Sequence, residues 1–168
     1  MKSKLIALIA IPVLFIVSCK KESSGTTTLK VKLTDAPAAY DEVNVDIREV
    51  KINMEGDSSS WISLATKAGI YNLLDYQNGV DTLIAQANVT GSVIKEVRLV
   101  LGTENTIKIG SETYPLTIPS GSESGLKIKM NKSLKEGVDY LSLDFDAGLS
   151  VSEELSGYKL RPVLKILQ

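Results

Sequence analysis

Leu29-Lys30-Val31-Lys32-Leu33-Thr34 is the stretch that decides the fold class. Apolar and polar side chains alternate with a period of two, the signature of a strand with one face buried and one face in water. Working outward, Thr34-Asp35-Ala36-Pro37-Ala38 ends the strand, because proline restricts the residue before it to extended geometry and the chain turns. Val43, Val45 and Ile47 then alternate with Asn44, Asp46 and Arg48, and the apolar set resumes at Val50, Ile52 and Met54. The parity flips between Ile47 and Val50, so the reading predicts a β-bulge or bend near Arg48 and Glu49.

The rest of the chain follows the same rhythm. Trp61 to Leu64 and Ile70 to Leu74 are short apolar runs separated by turn residues, and Asn78-Gly79 is a strong turn dipeptide. Ser92 to Leu101 reads as an internal strand, and Ile107 to Ile118 as a hairpin broken at Gly110-Ser111-Glu112. Leu126, Ile128 and Met130 form a strand whose other face is Lys127 and Lys129, and Leu141, Leu143 and Phe145 alternate with Ser142, Asp144 and Asp146. A last strand sets Leu160, Leu164 and Ile166 inward, with Pro162 marking a free edge or an irregularity. Asp81 to Ala87 is the one place where a helical turn is expected, capped by the aspartate, with Leu83, Ile84 and Ala87 facing inward. About nine short strands with frequent turns and at most one short helix predict an all-β fold, an antiparallel Greek-key sandwich. Residues 29–168 are expected to form this one domain. Outward positions rich in lysine, aspartate and serine exclude a membrane-spanning barrel.

Upstream, Lys2 and Lys4 precede an apolar run from Leu5 to Val17, then Ser18 and Cys19. This is the layout of a secretory signal peptide over residues 1–18, and the run falls short of the roughly 20 residues a spanning helix needs. Ile16-Val17-Ser18-Cys19 resembles the bacterial lipobox, which implies a diacylglyceryl group on the Cys19 thiol and acylation of the new amino terminus. Such chains hold a protein on a membrane without spanning it. Residues 19–28, with Lys20 to Thr28 polar and small, read as a flexible tether. Lys20 is not the aspartate that resembles an inner-membrane retention signal, so the expected place is the cell envelope at the outer membrane.

Composition removes whole classes of chemistry. The first 18 residues carry two lysines and no acid, leaving 17 basic and 20 acidic side chains, a net charge of −3. That argues against nucleic acid as a partner. There is no histidine and Cys19 is the one cysteine. With that thiol lipidated, a Ser-His-Asp triad, a Cys-His nucleophile, an ordinary zinc site and a disulfide are excluded. No catalytic residue and no cofactor is therefore expected. Asp144 and Asp146 are two apart on a strand, and Asp35 or Asp41 is a loop carboxylate that could join them around calcium, yet the spacing of a calcium loop is missing and an outward polar face is the preferred reading. Gly121 to Gly125 holds glutamate where a nucleophile elbow needs serine. Trp61 is read as packing at a sheet edge rather than as a sugar platform.

Leu33 to Pro37, Tyr40 to Val45, Tyr71 to Asp75, Val97 to Gly102, Tyr114 to Leu116, Pro119 to Gly121 with Ser124 to Ile128, and Leu143 to Ala147 recur in an order that resembles the domain-of-unknown-function 4382 family of exported bacterial lipoproteins. The resemblance implies a sandwich of immunoglobulin-like or transthyretin-like type and no known reaction. Two function classes follow. One is a lipid-anchored, non-catalytic module that binds a glycan or an envelope protein; the other is an envelope assembly factor using a free strand edge. A small carboxylate-based hydrolase is a distant third.

Overall fold

A computed structural model describes residues 25–56, 60–119 and 125–167. The strands are β1 (Thr26–Thr34), β2 (Glu42–Asn53), β3 (Trp61–Ser63), β4 (Ala65–Thr66), β5 (Gly69–Asn72), β6 (Thr82–Thr90), β7 (Val93–Leu101), β8 (Thr106–Ile109), β9 (Glu112–Thr117), β10 (Leu126–Ser133), β11 (Gly137–Phe145), β12 (Val151–Glu154), β13 (Gly157–Leu160) and β14 (Leu164–Leu167). A 3-10 turn covers Leu73–Tyr76, and a four-residue helix α1 covers Ala147–Ser150. Strand β1 starts at Thr26, so Thr26 to Thr28 belong to the sheet rather than to the tether.

The strands form two sheets. One runs β14-β11-β1-β6-β4; the other runs β10-β7-β2-β8-β9-β13-β12, with β3 and β5 also pairing to β2. The all-β sandwich is as expected, but the sheets are mixed: β1 pairs with β11 in parallel, as does β13 with β9. In the parallel register Val31 lies beside Leu141 and Leu33 beside Leu143, which keeps both apolar rows on one face. Leu29, Val31 and Leu33 of β1, Val43, Val45, Ile47, Val50 and Ile52 of β2, and Leu141, Leu143 and Phe145 of β11 are all buried. Each such side chain contributes about 1.5–3 kcal/mol through apolar area removed from water.

The bulge near Arg48 is present. In the β2·β7 ladder Ile47 pairs with Leu101 and Glu49 with Val100, leaving Arg48 as the extra residue, and this lets both Ile47 and Val50 face the core. The helical turn expected over Asp81 to Ala87 is instead the start of β6. There Val31 pairs with Ala85 and Lys32 with Leu83, so Ile84 bulges out of the ladder and the consecutive Ile84 and Ala85 are both buried. A bulge thus mimics the clustered apolar pattern of a helix.

Turns obey their residue chemistry. Asn78 and Gly79 both take positive φ, 56° and 85°, and Val80 N–H donates to the Gln77 carbonyl at 3.1 Å, closing a tight turn of the type this dipeptide favours. Pro162 lies where the chain leaves β13 in one sheet and enters β14 at the edge of the other, a crossover in which no ladder N–H is required.

Candidate functional site

Cys19, the expected lipidation site, lies outside the described residues, as does most of the Gly121 to Gly125 loop. Of the aspartates singled out as cation candidates, Asp35, Asp144 and Asp146 do come together, at the end of the sandwich where β1 and β11 finish. Asp35 is buried; its Oδ1 accepts from Ala147 N–H at 2.8 Å and its Oδ2 from Gln77 Nε2 at 2.9 Å. Asp146 caps α1, accepting from Leu149 N–H at 3.0 Å, and its Oδ2 meets Lys165 Nζ at 3.1 Å. Asp144, half-buried on β11, lies opposite Lys165 in the ladder. Burial pushes the Asp35 carboxyl up despite those two hydrogen bonds, with the charges of Asp144 and Asp146 adding to the rise. Burial likewise raises Asp144, against the pull of Lys165. The cluster is a structural joint: Asp35 ties the end of β1 to the start of α1, and Asp146 starts that helix. Among the described residues no group of three acidic, histidine or cysteine side chains is placed to hold a metal ion.

A further buried carboxylate, Asp46, was not foreseen. Strand β7 covers Ile47–Asn53 of β2 and β8 covers Glu42–Asn44, and residues 102–105 between them arch over Asp46. Gly102 N–H donates to the Asp46 carbonyl at 2.8 Å, Asp46 N–H donates to Asn105 Oδ1 at 2.9 Å, and Arg48 Nη2 sits 2.7 Å from Asp46 Oδ2. Sequence alternation puts Asp46 on the polar face correctly, but it carries no sign that a loop will cover that face.

A concave feature among the described residues is a trough of about 600 Å³, lined from the edge strand β10 of one sheet and the edge strand β14 of the other. Lys129, Met130 and Lys132 of β10, Lys135 of the following turn, Asp139 and Tyr140 of β11, and Ile166 and Leu167 of β14 line it. Its volume is in the range of small-ligand sites. Lys132 Nζ reaches both oxygens of Asp139, at 3.1 and 3.0 Å, and the Asp139 carboxylate also accepts from Lys135 N–H at 3.0 Å and Tyr140 N–H at 2.8 Å. Burial works against the charged Asp139, but these donors outweigh it and hold the carboxyl below its usual range. The ion pairs among the described residues leave Lys129 and Lys135 without a carboxylate. Tyr140 and Leu167, each about half exposed, form an apolar lip, and Lys32 Nζ lies 5.1 Å from the Tyr140 ring centroid. On the opposite sheet Trp61, at an edge strand as expected, is covered by the Arg98 guanidinium at 4.1 Å from its ring centroid.

A two-sheet β-sandwich whose buried carboxylates brace its loops is the class of protein that this fold defines. A family model described as Domain of unknown function (DUF4382) matches residues 26–162, and the chain belongs to that family. No curated protein and no solved structure matches it. Among the described residues no helix is long and apolar enough to cross a membrane.

Proposed function

We propose that the protein is a lipid-anchored lipoprotein of the bacterial cell envelope, held at the outer membrane through Cys19, whose sandwich binds a ligand without transforming it. The observation that carries the binding half of this reading is the trough: a concave, lysine-rimmed surface with an apolar floor, located where two sheet edges leave the sandwich open. The commitment of three buried acids supports the non-catalytic reading. Asp35, Asp139 and Asp146 each spend lone pairs on backbone N–H groups and on the Gln77 amide or a lysine, so none of the three is placed as the free acid or base that hydrolysis needs. The anchoring half rests on Ile16-Val17-Ser18-Cys19 and on the start of the domain at Thr26, which leaves a tether of a few residues.

The experiment is fractionation of cells expressing the wild-type chain and Cys19→Ala. Wild type is expected in the membrane pellet and the variant in the soluble fraction; a variant that stays with the membrane overturns the anchor. A second reading, assembly through a free strand edge, is favoured by one specific observation: β10 and β14 are both terminal strands of their sheets and face the same trough.

A further inference from the structure

We propose that the trough takes an extended acidic peptide, which adds as a strand to the free edge of β14. This deepens the binding reading above and rests on it. Three features meet there. First, the two edges that open on the trough are not equivalent. β10 carries the devices that discourage pairing, outward Lys127 and Lys129 and a register break between Lys129 and Lys132. β14 is bonded to β11 on one side only, in regular register from Leu164 to Leu167, and its single lysine, Lys165, is engaged by Asp146 at 3.1 Å. Strand addition therefore has an unblocked ladder at β14, where main-chain hydrogen bonds supply affinity independent of sequence.

Second, the space beside β14 is apolar at its base. Ile166 and Met130 pack against the core from the two sheets, so every second side chain of an added strand has an apolar surface to cover. Third, the rim selects the sign of charge. Lys129 and Lys135 have no carboxylate partner among the described residues, while Lys132 and Asp139 neutralise each other. An incoming carboxylate gains the two unpaired ammonium groups, and an incoming cation meets repulsion. An alternation of acidic and apolar residues satisfies all three features at once.

The test uses the mature, lipidated protein in nanodiscs and fluorescence anisotropy of a dye-labelled eight-residue peptide alternating glutamate with valine or isoleucine. Saturable binding is expected, with slowed amide exchange over 164–167. Replacing glutamate by lysine, or N-methylating alternate backbone amides of the peptide, is expected to weaken binding about tenfold or more, since each removes charge pairing or ladder bonds. The variant Lys129→Gln/Lys135→Gln should lose binding to the same extent while its thermal melt stays unchanged, since no like charge is set against Glu96 across the ladder. Unimpaired binding of the N-methylated peptide overturns strand addition, and indifference to the charge changes overturns the acidic specificity. Binding of dodecyl phosphate at the trough with none of the acidic peptide overturns the proposal in favour of a lipid ligand and leaves the binding reading standing. Failure of the Cys19→Ala fractionation bears on the anchor alone.

Discussion

Replacing Gly102 by alanine tests whether the arch over Asp46 is held together by charge. A β-carbon at Gly102 would lie 2.0 Å from Asp46 Oδ2 and 2.5 Å from Arg48 Nε, far inside contact distance. Backbone strain is not the issue, since Gly102 is absent from the positive-φ residues; the space is simply filled by the ion pair. The Asp46 side chain is 1% exposed and Arg48 is 51% exposed, so the arginine swings away at little cost but the carboxylate has nowhere wet to go. Displaced, Asp46 loses Arg48 and the Glu104 N–H at 3.3 Å, while its other oxygen already lacks a hydrogen-bond partner. Hydrogen bonds to a buried charge contribute about 1.5–3 kcal/mol, and the half-exposed ion pair adds at most about 1 kcal/mol. The expected loss is therefore about 2–4 kcal/mol, or about 5–15 °C in melting temperature for a domain of this size. Urea and thermal denaturation followed by circular dichroism measure it. Combining the change with Asp46→Ala supplies the internal check, because the clash then vanishes and Gly102→Ala should cost less than about 1 kcal/mol. A melt within about 2 °C of wild type, or an equal cost in both backgrounds, refutes the reasoning.

Acids at the two ends of β11 give predictions of opposite sign. Asp144 has a raised pKa, so its charged form is disfavoured in the folded state; Asp144→Asn should stabilise at pH 7, with the gain vanishing as pH falls below the unfolded value of about 3.9. Comparing melts at pH 7 and pH 3 checks both limbs. Asp139 has a lowered pKa, so its contribution is full above that unfolded value and is lost as pH falls through the folded one; Asp139→Asn should destabilise at neutral pH and flatten the acid limb of the stability curve. Asp146→Ala removes the cap of α1 and the Lys165 contact, with an expected cost of about 1–2 kcal/mol by urea titration. Excess calcium or chelator should move the melt by less than about 1 °C, because Asp35 and Asp146 already spend their oxygens within the protein.

Period-two alternation was sufficient for the strands that have one wet face. Leu29 to Thr34 and Leu141 to Phe145 could be placed, with their inward sets, from pattern alone, and the parity flip located the Arg48 bulge. The same logic failed at Leu83 to Ala87, where the bulged Ile84 stands next to the buried Ala85 and two adjacent apolar residues face the core. Nothing local separates that from a helical stripe. Strand direction was equally hidden: alternation says which face of β1 is buried, but it does not say that β11, more than a hundred residues on, lies parallel to it.

The site was the least legible part because it is made by edges, and edges are properties of the whole topology. Lys127 and Lys129 read from the sequence as the wet face of an ordinary strand, which they are; only the strand order makes β10 terminal and sets it against β14. Pro162 signalled a free edge or an irregularity within one last strand from Leu160 to Ile166. That run is instead two strands, β13 and β14, in different sheets, and the physical reason is specific. A residue without an N–H fits the crossing from β13 to β14, and that crossing delivers Leu164 to Leu167 to the outer edge of β11. The chain from the N-terminus enters at the opposite end of β11: Thr27 lies beside Gly137 in the ladder, and Thr27 Oγ1 donates to the Lys135 carbonyl at 3.0 Å. Five residues lie between Cys19 and Gly25, so the proposed anchor at Cys19 would hold the Lys135 end of the trough within about 20 Å of the lipid. Under that proposal, a ligand reaching the trough would be one presented close to the membrane surface.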